Sequence, residues 1–135
     1  MGRVFSDLSG RLIGNRLDEG SRSLGATATS KTLFALQPQV FMPWDGAMRE
    51  SFDCDGSGES YVRFLKLIRE DLLRLEREAR RHDLSLPDLP TFFDQPGRTP
   101  IDLVNQYYWV TITRQTTPPD QYKLGQWLDL MGVRV

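Results

Sequence analysis

The central segment of the chain reads Ser30-Lys-Thr-Leu-Phe-Ala-Leu-Gln-Pro-Gln-Val-Phe-Met-Pro-Trp-Asp45-Gly-Ala-Met-Arg-Glu-Ser-Phe52. Pro38 and Pro43 push the residues before them out of helical geometry, so they bracket a connection rather than a helix. A second short helix is predicted from Asp45 to Phe52. The segment therefore predicts two helices and a proline-punctuated connection, the first helix covering residues 27–36 with three core-facing side chains, Leu33, Phe34 and Leu36.

Asp45 is open to two interpretations. Aspartate is among the most frequent residues at helix N-caps, and a cap requires nothing unusual of it. A carboxylate behind Phe41, Pro43 and Trp44 also suits a partly apolar catalytic pocket, where it can stabilise an oxocarbenium-like centre at a sugar carbon. Because His82 is the sole histidine, a Ser-His-Asp triad or a multi-histidine metal site is not expected.

The longest predicted element is an amphipathic helix over residues 59–82. Its apolar side chains recur at intervals of four, three, four and three residues, which is the period of one helical face. The C-terminal end of the same helix is rich in arginine. The apolar stripe consists of Tyr61, Leu65, Ile68, Leu72 and Leu75.

The remaining segments are predicted from local signals. Helical spacing of apolar residues indicates a short helix within residues 4–16, and residues 20–25 indicate a polar loop. Residues 83–98 are expected to cross the surface, held to the core by Phe92 and Phe93. Thr99 caps a helix that runs to about Arg114, and Asp120 caps a last helix that contains Tyr122, Leu124, Trp127, Leu128 and Leu130.

Composition limits the classes of function. The chain has 135 residues and a net charge of −1, so no global charge draws it to nucleic acid or to an anionic membrane. No apolar run reaches membrane-spanning length, and no membrane association is predicted. Cys54 is the only cysteine, which excludes an internal disulfide and favours a reducing, cytoplasmic location. No cofactor is predicted.

The loop Asp53-Cys-Asp-Gly-Ser-Gly58 resembles the first half of a calcium-binding loop. Asp53, Asp55, Ser57 and Gly58 match its first, third, fifth and sixth positions. The twelfth position should supply a bidentate carboxylate, but here it is Phe64. Calcium binding is therefore not expected, and Asp55 or Ser57 is predicted to cap the long helix instead.

Two further groups are candidates for nucleic-acid contact. Arg74, Arg77 and Arg81 share one face of the long helix and could contact a phosphate backbone, although cations also stabilise a helix C-terminus. Aromatic side chains can stack on bases, but at helical spacing they more often belong to a core. The aromatic group consists of Tyr107, Tyr108, Trp109, Tyr122 and Trp127.

The pattern Leu24-Gly25 … Ser30-Lys-Thr-Leu-Phe-Ala-Leu … Phe41-Met-Pro-Trp-Asp45-Gly-Ala-Met-Arg49 resembles the helix-hairpin-helix DNA glycosylases of the endonuclease III-like superfamily. The resemblance implies that Asp45 corresponds to the catalytic aspartate. It also implies that Gly25 lies in a hairpin whose backbone amides contact DNA phosphate, with Arg22 or Lys31 assisting. The same segment resembles an uncharacterised group of bacterial proteins.

The sequence as a whole predicts one all-α domain over residues 1–135, with five or six helices packed around the long helix. The leading functional hypothesis is a DNA-associated, glycosylase-like protein in which Asp45 acts if any catalysis occurs. The alternative is a non-enzymatic domain that binds a protein partner or forms a homodimer. Salt-dependent DNA binding would distinguish the first hypothesis from the second.

Overall fold

The computed structural model of the chain describes residues 1–16 and 20–117. This part is mostly helical, which confirms the predicted all-α class, and its one departure is an antiparallel two-stranded hairpin. A 3-10 turn, Leu86–Asp88, precedes α5, and a π-helical turn, Trp109–Thr113, continues α6. The elements are α1 (Gly2–Ser9), β1 (Leu12–Arg16), β2 (Gly20–Ser23), α2 (Gly25–Leu36), α3 (Gly46–Ser51), α4 (Gly58–Arg80), α5 (Leu89–Phe92) and α6 (Pro100–Tyr108).

Helix α4 confirms the predicted long amphipathic helix. Its N-cap is Ser57, whose Oγ accepts a hydrogen bond from the Ser60 N–H at 3.1 Å. Tyr61, Phe64 and Ile68 of its apolar face are almost completely buried. Burial of each such side chain stabilises the fold by about 1.5–3 kcal/mol, so tertiary packing as well as helix propensity holds α4 in place.

An aromatic cluster forms the centre of the core, between α1, α4 and the connection that follows α2. The ring of Phe5 stacks on Tyr61 with centroids 4.2 Å apart, and Trp44 lies 4.9 Å from Tyr61 and 5.3 Å from Phe64. Helix α1 can approach α4 closely because Gly58 has no side chain. A Cβ atom on Gly58 would lie 2.0 Å from a backbone oxygen of α1.

The N-terminal predictions were wrong beyond residue 9. The predicted helix over residues 4–16 ends at Ser9, and the predicted polar loop contains strand β2. Leu12 and Ile13 continue the helical spacing in the sequence, but they lie on β1 with 68% and 60% of their surface exposed. The pairing of β1 with β2 is irregular at Gly14, whose φ of +101° suits a residue without a side chain.

Three side chains expected in the core are exposed. Leu36 is 70% exposed, because α2 ends there and its buried face stops at Leu33. Phe92 and Phe93 are 63% and 55% exposed and pack on each other. The segment that crosses the surface is instead anchored by Leu89 and Pro90, which are buried.

The start of α6 confirms the predicted cap. Thr99 Oγ1 accepts the Asp102 N–H at 3.1 Å, and Asp102 accepts the Thr99 N–H at 2.8 Å, which is a complete capping box. The helical path continues to Thr113, close to the predicted end at Arg114. The predicted last helix from Asp120 to Leu130, with Tyr122 and Trp127, lies outside the described residues.

Candidate functional site

The connection between α2 and α3 is held in place by side chains from two helices. Buried Ser30 on α2 accepts the Trp44 N–H at 3.1 Å and donates to the Thr27 carbonyl at 2.9 Å. The indole N–H of Trp44 donates to the Ala26 carbonyl at 3.3 Å. From α4, the Tyr61 hydroxyl donates to the Met42 carbonyl at 3.0 Å. These bonds satisfy polar groups of a buried, irregular segment, which would otherwise cost about 1–3 kcal/mol each.

This arrangement places Asp45 at the start of α3, where it confirms the predicted N-cap. Its Oδ1 accepts the Met48 N–H at 2.9 Å. Its Oδ2 accepts a hydrogen bond at 2.7 Å from the hydroxyl of Thr113, which lies 68 residues further along the chain. Both carboxylate oxygens are therefore engaged, and the side chain joins α3 to the π-helical turn. The catalytic interpretation of Asp45 stays a prediction.

The start of α2 is open. Gly25 is its first residue, with φ of +73°, and a Cβ atom built on it would meet nothing within 4 Å. Among the described residues, no side chain caps this helix end. The first amides of a helix have no partner within the helix, and together with the helix dipole they attract anions. The element that precedes Gly25 is strand β2.

A cation lies beside this helix start. The Arg49 guanidinium is 6.0 Å from the centroid of the Trp44 ring, within cation–π range. Arg49 and Ala26 both border Gly56, where a Cβ atom would lie 3.6 Å from Arg49 Nη1 and 3.5 Å from the Ala26 Cβ. No ion pair of Arg49 occurs within residues 1–16 and 20–117. Sequence reasoning passed over Arg49, because only the fold brings it to α2.

The other predicted phosphate contacts form two separate groups. Arg22 on β2 and Lys31 on α2 are exposed on either side of Gly25 in the sequence. Arg74 and Arg77 are exposed on the second half of α4, and Arg81 is exposed directly after its last residue. Ala26 lies near the beginning of α4, beside Gly56. Arg74 is about 24 Å from that beginning along the axis of α4, at a rise of about 1.5 Å per residue. The structure thus does not bring the two groups together.

Two of these three arginines have acidic partners. Arg74 lies 3.4 Å from Asp71, and Arg81 lies 2.9 Å from Glu78, both one helical turn away. Such exposed pairs contribute about 0–1 kcal/mol. They also reduce the net positive charge that this face presents to a phosphate backbone. This agrees with the alternative interpretation of the sequence, in which these cations stabilise the C-terminal end of the helix.

The loop before α4 forms a small polar cavity of about 330 Å³, lined by Glu50, Asp53, Cys54, Asp55, Ser60 and Arg63. Hydrogen bonds from the Ser60 hydroxyl and from Ser57 lower the pKa of Asp55 to about 2. Ser57 caps α4, as predicted for this loop. In the described part of the chain, no group of three or more His, Cys, Asp or Glu is arranged to hold a metal ion.

A larger apolar groove, of about 910 Å³, was missed by the sequence analysis. It lies between α4, α6 and the segment after α5. Of the aromatic residues expected in the core, Tyr108 packs against Phe52, but Tyr107 and Trp109 are 57% and 44% exposed. Tyr107 lines the groove, so its exposure marks the groove as surface rather than core. In the sequence, the helical spacing of these aromatic residues had predicted that they belong to the core.

Comparisons with protein-family models, curated proteins and solved structures find no match for the chain. The glycosylase resemblance therefore stays a prediction from the residues. None of the helices in the described ranges combines the length and apolar character needed to cross a bilayer.

Proposed function

We propose that this domain associates with DNA and holds a backbone phosphate at the start of α2. The observation that carries the proposal is the open helix start at Gly25 with the guanidinium of Arg49 beside it. Backbone amides at a helix N-terminus bind phosphate oxygens, and a guanidinium adds a bidentate, charge-assisted contact. The resemblance to helix-hairpin-helix glycosylases supports the same position for a phosphate.

Exposed cations extend this contact along a duplex. Arg22 and Lys31 flank the helix start in the sequence and add charge next to it. Arg77, which lies with Arg74 on the distal half of α4 and near Arg81 at its end, supplies a second contact at a distance of several base pairs. Each phosphate neutralised in this way releases counterions, so the affinity must fall as the salt concentration rises.

Asp45 gives the proposal its glycosylase-like component. The carboxylate lies one residue from Trp44, whose indole is bonded to the first turn of α2. A nucleotide held by its phosphate at that turn would bring its sugar toward Asp45, which would stabilise positive charge at the sugar carbon. Each Asp45 oxygen accepts one hydrogen bond and keeps a second lone pair for this interaction.

The proposal includes a cytoplasmic location in a bacterial cell. It is supported by the single cysteine, Cys54, which is a free thiol, and by the resemblance to bacterial proteins. A reducing compartment is where such a thiol persists.

The first experiment titrates fluorescent double-stranded DNA with the protein at low and moderate salt. We expect Arg49→Gln to weaken binding and to reduce the slope of log affinity against log salt by about 1. Lys66→Gln is the matched control, because it removes one exposed charge from the middle of α4. Absence of binding at low salt, or equal effects of the two variants, would overturn the phosphate site.

Asp45→Asn tests the catalytic component separately. Asparagine caps helices about as well as aspartate, so the fold should be retained. If Asp45 stabilises charge at the sugar, release of damaged bases from duplex DNA is lost in the variant while DNA binding remains. Unchanged excision in the variant would assign Asp45 to capping alone.

A second candidate function is that of a protein-interaction or self-association domain. The observation in its favour is the apolar groove with exposed Phe93 and Tyr107 in its lining, since aromatic residues are enriched at protein interfaces. Sedimentation analysis over a range of concentrations tests self-association. A dimer that dissociates on Tyr107→Glu, in a protein without DNA affinity, would favour this candidate over the first.

A further inference from the structure

The apolar groove has walls from three parts of the fold. Leu75 comes from α4, Leu103 and Val104 from α6, and Phe93 from the segment after α5. Phe93 is 55% exposed and Val110 is 38% exposed. With a volume of about 910 Å³ the groove is in the range that encloses several large side chains.

Most of the polar side chains that line the groove are hydrogen-bonded within the protein. Gln95 and Gln106 exchange two hydrogen bonds of 2.8 and 3.2 Å between their amide groups. Tyr108 donates its hydroxyl proton to Asp71, and Thr111 donates to a backbone carbonyl of its own helix. Each of these side chains is already hydrogen-bonded, and most of the remaining lining is apolar. An occupant of the groove is therefore apolar, because apolar contact is what the walls offer.

The last residues that the structure describes lie beside this groove. The N–H of Thr116 donates to the carbonyl of Val110 at 3.0 Å, which places the last described residues beside a lining residue. The Arg114 guanidinium lies 4.6 Å from the centroid of the Trp109 ring, and this cation–π contact helps to hold these residues in place. Eighteen residues, 118–135, follow this point.

We propose that the groove is the docking site of the chain's own C-terminal segment, residues 118–135. The segment carries the apolar side chains that such a groove requires, and its four charged residues balance to zero: Tyr122, Leu124, Trp127, Leu128 and Leu130 are apolar, and Asp120, Lys123, Asp129 and Arg134 are charged. Leu124, Trp127, Leu128 and Met131 recur at the spacing of one helical face, and an amphipathic helix in an apolar groove is a common mode of recognition.

The tether favours this occupant over a separate molecule. A segment joined to the edge of the groove by a few residues has an effective concentration in the millimolar range, which an untethered partner must exceed. The proposal does not depend on DNA binding. It competes with the second candidate function, since a groove filled by its own chain does not present a free surface to a partner.

Disulfide trapping in the full chain tests the proposal. In a Cys54→Ser background, Phe93→Cys in the groove wall is combined with Leu128→Cys in the segment. The matched control combines Leu128→Cys with Thr91→Cys, which is two residues away, exposed and not part of the groove. Oxidation at low protein concentration is followed by mass spectrometry, which separates intramolecular from intermolecular bonds.

We expect the groove pair to form an intramolecular disulfide at least about tenfold faster than the control pair, since docking raises the local thiol concentration. Equal rates would overturn the proposal, as would intermolecular bonds that dominate at low concentration. As a second measurement, Trp127→Ala should lower the melting temperature more than Arg134→Ala. Equal melting temperatures of these two variants would also contradict docking.

Discussion

Ser30→Ala tests how the fold holds the Trp44–Asp45 segment. In the native protein the Ser30 hydroxyl is completely buried and accepts the N–H of Trp44, itself only 1% exposed. Alanine leaves that N–H without a partner, and the space of one oxygen atom is too small to admit a water. The Thr27 carbonyl loses little, because it lies within α2 and keeps a helical partner.

An unpaired buried N–H costs about 1–3 kcal/mol, and we expect the free energy of unfolding to fall by this amount. For a domain of this size, about 4 °C per kcal/mol converts the loss to a melting temperature about 4–12 °C lower. Urea and thermal unfolding followed by circular dichroism measure both quantities. Ser51→Ala, at an exposed position on α3, is the control and should change stability by less than about 0.5 kcal/mol.

The reasoning would be refuted if Ser30→Ala and Ser51→Ala had the same stability. That result would mean that the Trp44 N–H finds another acceptor, and that Ser30 does not position the segment. A loss within the expected range, with no change in the steepness of the urea transition, would confirm that a single buried hydrogen bond was removed.

Three other substitutions have effects that follow directly from the structure. Gly58→Ala should destabilise the protein by about 3 kcal/mol in urea unfolding, because its Cβ would lie 2.0 Å from a backbone oxygen of α1. Gly46→Ala, where a Cβ meets nothing within 4 Å, should not. Thr29→Val should raise stability in the same assay by about 1 kcal/mol, since the buried Thr29 hydroxyl has no hydrogen-bond partner among the described residues. Asp55 is ionised in its bond with Ser60, and its pKa of about 2 lies below the unfolded value of about 4. Its stabilising contribution is therefore present above about pH 4 and is lost as the pH falls toward 2. The difference in melting temperature between the native protein and Asp55→Asn should accordingly shrink between pH 7 and pH 2.5; a constant difference would contradict this assignment.

The sequence was most informative where the deciding contacts are local. The caps at Asp45, Ser57 and Thr99 each join a side chain to an amide three residues away. Such bonds form within one turn of chain, so residue type and spacing are enough to predict them. The long helix α4 followed in the same way from its apolar period.

Prediction failed where a distant partner decides between two locally similar outcomes. Leu12 and Ile13 continue the helical spacing of α1, but pairing of the hairpin strands places them on exposed β1. Tyr107 and Trp109 have the composition of a core, and only the packing of α6 against α4 leaves them on the surface. Apolar residue type is compatible with both locations, because much of a protein's surface is apolar.

The sequence by itself determined the helical class, the long central helix and the caps, since each depends on residues within a few positions of one another. Tertiary structure alone decided that Thr113 bonds to Asp45, that Arg49 lies beside the start of α2, and that a groove opens beside α6. These features join residues that are far apart in the chain. Their formation depends on how whole helices pack, and no local spacing in the sequence encodes that packing.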